Sequence, residues 1–267
     1  MKNILVLMHD DKGQEARLQA ALDVTRAVEG HLTCLDVTVM PAMVGDYYTG
    51  AGEAMLLDDE RRREAANRKT VEARLAHEQV SWNWTETTGA IALCLEDASA
   101  LADLIVVSRE LEDFPLPSMR AVAGEIVVKS GKPVLAVPED SRGFDVNGRV
   151  LVCWDGSACA AAALRASVPL LQLAEAVTLL EVADGSIQSP GEEAAAYLSR
   201  HGVTPTVMRR NVLTGKPADV ILDEVRRIHA DYIVMGGFSH LRFTEALFGG
   251  VTRRLLSDSP VPLFLAH

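Results

Sequence analysis

The segment Asp231-Tyr-Ile-Val-Met-Gly-Gly-Phe-Ser-His-Leu-Arg-Phe-Thr-Glu-Ala-Leu-Phe-Gly-Gly-Val-Thr252 carries two glycine pairs, Gly236-Gly237 and Gly249-Gly250. A short apolar run, Tyr232 to Met235, precedes the first pair, and a run with helical spacing follows the second. Strand, glycine loop, glycine pair, helix start is the order a phosphate cradle needs. Glycine accepts positive φ and lets the backbone approach a ligand. The unpaired N–H groups of a helix start, helped by the macrodipole, face an anion. The alternative is a turn and a helix start with nothing bound, since short glycine motifs often match by chance.

A second polar turn, Asp155-Gly156-Ser157, follows the apolar run Val150 to Trp154. Its aspartate serves either as a ligand contact or as a cap for the next helix, a role that Ser157 also fits. Other residues suggest chemistry less well. Gly215-Lys216-Pro217 has the outline of a Walker A ending, but Arg210 stands where the upstream glycine belongs and Pro217 where the magnesium-binding hydroxyl belongs. Lys216-Pro217 reads instead as a helix start with proline in the first turn. His9, His240 and His267 lack the spacing of a metal site or triad and read as surface or loop residues. No nucleophile, base and orienting residue assemble, so neither a catalytic set nor a metal site is expected.

Composition narrows the classes. Of 267 residues, 48% are hydrophobic and 24% charged, with a formal net charge of -11 and a pI near 5.1. That describes a soluble globular protein. It argues against nucleic-acid binding, because no basic face is present to displace counterions. No apolar run is long enough to span a bilayer. The opening Met1-Lys-Asn-Ile-Leu-Val-Leu-Met8 reads as a strand and not as a signal peptide. Cys34, Cys94, Cys153 and Cys159 have neither metal nor redox spacing, and the first three lie in apolar runs. A cytoplasmic protein fits all of this.

The elements that position the glycine loops occur twice. Strands are expected at Ile4–Met8, His31–Val39, Val80–Thr87, Asp103–Ser108 and Pro133–Val137, with helices between them, including a long charged one over Glu53–His77. The polar, turn-rich run Pro138–Gly148 is the linker. Strands then recur at Val150–Trp154, Val177–Val182, Thr204–Arg210, Asp231–Met235 and Pro262–Leu265. Ile4-Leu5-Val6 superposes on Val150-Leu151-Val152, and Asp103–Val107 on Asp231–Met235. The fold class is therefore α/β: two tandem five-stranded parallel-sheet domains, doubly wound with flavodoxin-like layering, over residues 1–139 and 149–267 with a linker at 140–148. In such sheets strands 1 and 4 lie side by side where strand order reverses, and ligands bind beyond their carboxyl ends. The Asp155 and Gly236 loops converge there.

The second half resembles the universal stress protein family. The resemblance rests on Val150-Leu-Val-Cys-Trp-Asp-Gly-Ser157, Thr214-Gly-Lys-Pro-Ala-Asp219, Ala230-Asp-Tyr-Ile-Val-Met-Gly236 and Ser259-Pro-Val-Pro-Leu-Phe-Leu265. The entire chain is similar to a tandem member, with an adenine nucleotide alpha hydrolase-like fold. ATP-binding relatives hold ribose and phosphates with Gly, two residues, Gly, nine residues, Gly, then Ser or Thr. The resemblance implies ATP or another adenine nucleotide as ligand, with magnesium as an option. Asp155 would face adenine, Gly156 and Ser157 would line that end, and Val182 would pack on the ring. Met235 and Gly236 would lie under the ribose, while Gly249, Gly250, Val251 and Thr252 would offer amides to the phosphates. Two positions depart from the pattern: Ser239 replaces the second glycine, and Gly250 replaces the hydroxyl residue.

The first half departs further. His9-Asp10-Asp11 ends its first strand, and no glycine occurs in Ser108–Pro117, where Glu110, Glu112 and Asp113 would repel a polyphosphate. The resemblance implies that this half packs on the other through their last strands as an internal pseudo-dimer, with a homodimer as a further option. The function implied is a stress-response protein that binds nucleotide and is not an enzyme, any ATP hydrolysis being slow and incidental. The alternative is a tandem scaffold that has lost nucleotide. An enzyme of the wider superfamily ranks last, because the Ser-Gly-Gly-x-Asp-Ser and His-Ile-Gly-His signatures are missing.

Overall fold

A computed structural model describes residues 1–39, 50–109, 119–212, 216–238 and 250–267. The first half runs β1 (Asn3–Met8), α1 (Gln14–Ala27), β2 (His31–Val39), α2 (Gly50–Leu75), β3 (Ser81–Gly89), α3 (Ile91–Ala98), β4 (Leu104–Ser108), α4 (Met119–Ser130) and β5 (Val134–Val137). The second runs β6 (Arg149–Cys153), α5 (Ala158–Leu171), β7 (Ala176–Ala183), α6 (Gly191–Arg200), β8 (Thr206–Asn211), α7 (Pro217–Ile228), β9 (Tyr232–Gly236), α8 (Gly250–Asp258) and β10 (Leu263–Ala266). Every expected element is present, with ends shifted by a few residues. The long charged helix expected in the first half is α2, 26 residues against 10 in α6.

All strands join one sheet in the order β3-β2-β1-β4-β5-β10-β9-β6-β7-β8. Each half has the order 3-2-1-4-5, and the second runs in mirror sequence from the seam. Pairing is parallel throughout, except that β5 and β10 run antiparallel, with Leu135 opposite Phe264. Central strands are covered on both faces and are therefore continuously apolar: β4 and β5 are buried at every residue. One core, under α1, α2, α5 and α6, gathers Val6, Leu22, Leu75, Val152, Leu164 and Leu198. The other, under α3, α4, α7 and α8, gathers Leu7, Leu95, Ile126, Ile221, Leu255 and Leu263.

Both halves fix the entry to the fourth strand in the same way. Asp103 Oδ2 accepts a hydrogen bond from Asn3 N (3.0 Å), and Asp231 Oδ2 accepts one from Arg149 N (2.7 Å). In each case the aspartate's own amide donates back to the carbonyl of the same residue, at 2.8 Å. The linker is less loose than its polar composition suggests. Phe144 and Val146 are buried. Phe144 N donates to Asp23 Oδ2 of α1 (3.0 Å), while its ring lies 4.8 Å from that of Tyr232 in β9. A hollow of about 500 Å³ beside this run touches Asp23, Asp145 and Asp231, at the amino ends of β9 and β10.

Candidate functional site

In the second half, β6 pairs with β7 on one side and β9 on the other, so strand order reverses between β6 and β9. Helix α5 leaves β6 on one face of the sheet, and α8 follows β9 on the opposite face. The two connections part beyond the carboxyl ends of the strands, which is where such sheets bind ligands. Asp155, at the end of β6, is half-buried, and its Oδ1 accepts from Ser157 N at 2.9 Å. The turn needs glycine next. Gly156 has φ +77, and a Cβ there would stand 2.2 Å from Ser189 N. The segment after β7 lies on this turn: Gln188 N donates to the Asp155 carbonyl (2.6 Å), and Trp154 Nε1 to the Ser189 carbonyl (3.0 Å). Ser157 caps α5 by accepting from Ala160 N at 3.2 Å. Val182, near the end of β7, is half-buried.

On the β9 side, a Cβ on Gly236 would meet Ala160 N at 2.4 Å. Glycine is thus required there by the first turn of α5, and that contact joins the ends of β6 and β9. The Met235 side chain is buried in the core under α7 and α8. Gly250 and Val251 open α8, the first exposed and the second half-buried. Thr252 is buried, and its Cγ2 would lie 3.8 Å from a Cβ on Gly237. The start of α8 therefore sits at the end of β9, as a cradle requires. Gly249 and Ser239 lie outside the described residues, as do Gly215, His240, Glu110, Glu112 and Asp113.

His267 lies just beyond β10, at the same end of the sheet. Its Nδ1 lies 3.1 Å from the Gly237 carbonyl oxygen and 3.4 Å from Cys159 Sγ. With the carbonyl as acceptor, Nδ1 carries the proton. Burial, and then the charge of Asp155, push the Cys153 thiol up to about 12 and raise that of Cys159. Neither sulfur is poised as a thiolate.

A model of the universal stress protein family matches residues 147–267. The second half of the chain is therefore similar to the universal stress protein family. The crystal structure of a universal stress protein from Archaeoglobus fulgidus DSM 4304 is similar over 99% of this chain and 97% of that one, with a TM-score of 0.77 at 19% identity. A putative universal stress protein from Pseudomonas aeruginosa UCBPP-PA14 is similar over 99% and 92%, with a TM-score of 0.60 at 15% identity. At such identities these two speak for the fold. The stress response protein NhaX of Bacillus subtilis (strain 168) is 34% identical over 55 residues, 21% of this chain. The match spans about a third of the length of that relative.

Laid over the second half, the first keeps the strand order and fills the corresponding place with its own side chains. Ser108 stands where Gly236 does. The close approach of the helix is allowed from the other side, by Gly13, whose absent Cβ would fall 2.4 Å from Ser108 Oγ. Arg17 of α1, wholly buried, occupies the gap. It donates to the Leu7 carbonyl (2.9 Å), the His9 carbonyl (3.2 Å), Ser108 Oγ (2.5 Å) and Asp11 Oδ2 (2.7 Å). Every N–H direction the guanidinium offers towards the strand ends is taken up by protein.

His9 corrects the reading of it as a surface or loop residue: it is 0% exposed. The long α2 lies over the end of β1 and covers it, which a strand-end position alone does not reveal. Asp36 is buried in β2, in register with Met8 of β1 and Glu86 of β3. Burial, then the charges of Glu64 and Glu86, push its carboxyl up to about 7. Sequence reasoning missed Arg17 and this acidic group. The available signals were an arginine on the apolar stripe Arg17, Ala21, Val24, Val28, and carboxylates at Glu60 and Glu64, spaced i, i+4 on α2.

Proposed function

We propose that the second half binds ATP or a related adenine nucleotide in the crevice between β6 and β9, and that occupancy regulates a stress response through the surface the nucleotide completes. The observation that carries this reading is the meeting of three features at one place. The Asp155-Gly156-Ser157 turn, the Gly236-Gly237 strand end and the start of α8 at Gly250 converge across adjacent parallel strands. Asp155 would face adenine and Val182 would pack on the ring. Gly249, Gly250, Val251 and Thr252 would present amides to the phosphates, with magnesium as an optional counter-ion. Backbone amides favour ground state and transition state alike, so the role is binding and not catalysis. In this reading the two domains, 1–139 and 149–267, act as a pseudo-dimer in the cytoplasm, and the first contributes packing instead of a second nucleotide.

Equilibrium dialysis of the purified chain against labelled ATP with magnesium tests the proposal. One saturable equivalent is expected; no saturable binding defeats it. A second reading, a tandem scaffold without nucleotide, draws on a specific observation: Asp155 Oδ1 is already engaged by Ser157 N, and the loop around Gln188 rests on the turn. Protein purified free of adenine absorbance, with a melting temperature indifferent to ATP, would favour that reading.

A further inference from the structure

We propose that His9, Glu60 and Glu64 form a binding site for one divalent first-row transition cation of the zinc class, in the first half and apart from the nucleotide crevice. One ligand atom from each residue falls within 4.8 Å of the other two. His9 follows the last residue of β1, and Glu60 and Glu64 stand one turn apart on the side of α2 that continues through Val71 and Leu75 into the core. An i, i+4 pair of carboxylates projects from one helix face, so α2 presents both to the imidazole at once. Two ligands on a tetrahedral zinc, bonded at roughly 2.0–2.2 Å, stand about 3–4 Å apart. The observed spacing needs little adjustment.

The hydrogen bonding separates this group from an acidic patch that is merely solvated. His9 Nδ1 is buried and paired with Glu64 Oε1 at 2.8 Å, while Nε2 is buried with no hydrogen-bond partner among the described residues. Buried imidazole nitrogens without partners are costly, and so are buried carboxylates. A cation held between the imidazole and the two carboxylates would give the buried ring nitrogen a partner and balance the charge of Glu64, whose Oε1 otherwise accepts only from His9 and from Asp10 N (3.3 Å) among the described residues. Asp36, buried in β2, feels the charges of Glu64 and His9 and adds to the negative field around the group. Glu64 is held in orientation from outside: Oε2 accepts from Asn67 Nδ2 (3.2 Å), and Asn67 exchanges two hydrogen bonds with Gln14 of α1. Such outer partners are what fix ligating carboxylates. The cation now nearest is Arg63, 2.8 Å from Glu60 Oε1 and 3.9 Å from Glu64 Oε1. Its side chain is half exposed, so yielding Glu60 to an ion sacrifices only a weak surface pair. One imidazole among carboxylates suits zinc better than magnesium, which prefers oxygen and retained water.

The test uses the full chain stripped with a chelator, then titrated with zinc against a chromophoric competitor. One tight equivalent and a raised melting temperature are expected, and millimolar magnesium should not displace it. His9→Gln and Glu64→Gln should each abolish that equivalent. Asn67→Ala should keep the stoichiometry and weaken affinity about tenfold. Should the buried variants fail to fold, judged by circular dichroism of the metal-free protein, Glu60→Gln on the helix surface carries the test with the same expected loss. Absence of zinc uptake, retention of the equivalent in Glu60→Gln, or its loss in Cys159→Ser instead would overturn the proposal.

Discussion

Arg17 Nη2 lies 2.7 Å from Asp11 Oδ2, both side chains almost wholly buried, at the place in the first half that corresponds to the Asp155 and Gly236 turns of the second. A guanidinium with its charge matched and its donors used is a plug that also ties β1, β4 and α1 together. Removing it strands the Asp11 carboxylate in the interior. Arg17→Met should lower unfolding free energy by about 3–5 kcal/mol, and Arg17→Met with Asp11→Asn should recover part of the loss. Urea denaturation measures both; a loss under about 1 kcal/mol would show the pair to be incidental.

Gly236 and Gly250 should answer alanine oppositely. A Cβ on Gly236 runs into the α5 backbone at Ala160 N, whereas one on Gly250 meets nothing within 4 Å among the described residues. Gly236→Ala is expected to cost about 1–3 kcal/mol from overpacking. Gly250→Ala should stay within about 0.5 kcal/mol of the parent. Calorimetric melts of the two variants side by side decide this, and equal midpoints would mean that α5 simply shifts.

For the nucleotide, Asp155 can be separated from its own turn. Asp155→Asn keeps an oxygen for Ser157 N but loses the charge, while Asp155→Ala loses both. If the carboxylate contacts adenine, each variant should weaken ATP binding at least about tenfold, the effect of one charged hydrogen bond. Only Asp155→Ala should also lower the melting temperature. Unaltered ATP affinity in both variants would remove Asp155 from the site.

Acid stability should report on Glu224. This carboxylate on α7 is buried, which alone would push its pKa up. The hydrogen bond from Arg227 (Nε to Oε1, 2.8 Å) and the charges of Arg210 and Arg227 outweigh burial and hold it below the ordinary range. A depressed folded pKa contributes stability above the unfolded value, about 4.3, and that contribution fades as pH falls through the folded value. Glu224→Gln should therefore be less stable than the parent at neutral pH, with the gap closing on acidification below about pH 4. Unfolding midpoints across that window supply the check, and a gap constant with pH contradicts it.

Periodicity and punctuation made the architecture legible before any coordinates. Apolar runs such as Leu104–Val107 can only be strands covered on both faces, and repeated landmarks such as Asp103 and Asp231 revealed the doubling. The glycines were legible as turns, though not for the right reason at Gly236, where helix packing sets the requirement. Buried polar groups were not legible. Arg17 finds Ser108 91 residues away and His9 finds Glu64 after 55, so their burial depends on partners that only the folded chain assembles. Phe144 and Val146 were hidden likewise in a run whose neighbours all signal turn.

The antiparallel join of β5 to β10 binds two half-sheets that share one polypeptide. Partners tethered in this way meet at an effective concentration set by the connection and not by how much protein the cell holds, so dilution does not part them. It also frees the halves from identity. A symmetric pair must carry the same residue twice, whereas here Arg17 can fill the strand ends of one half while the other keeps glycine at Gly236.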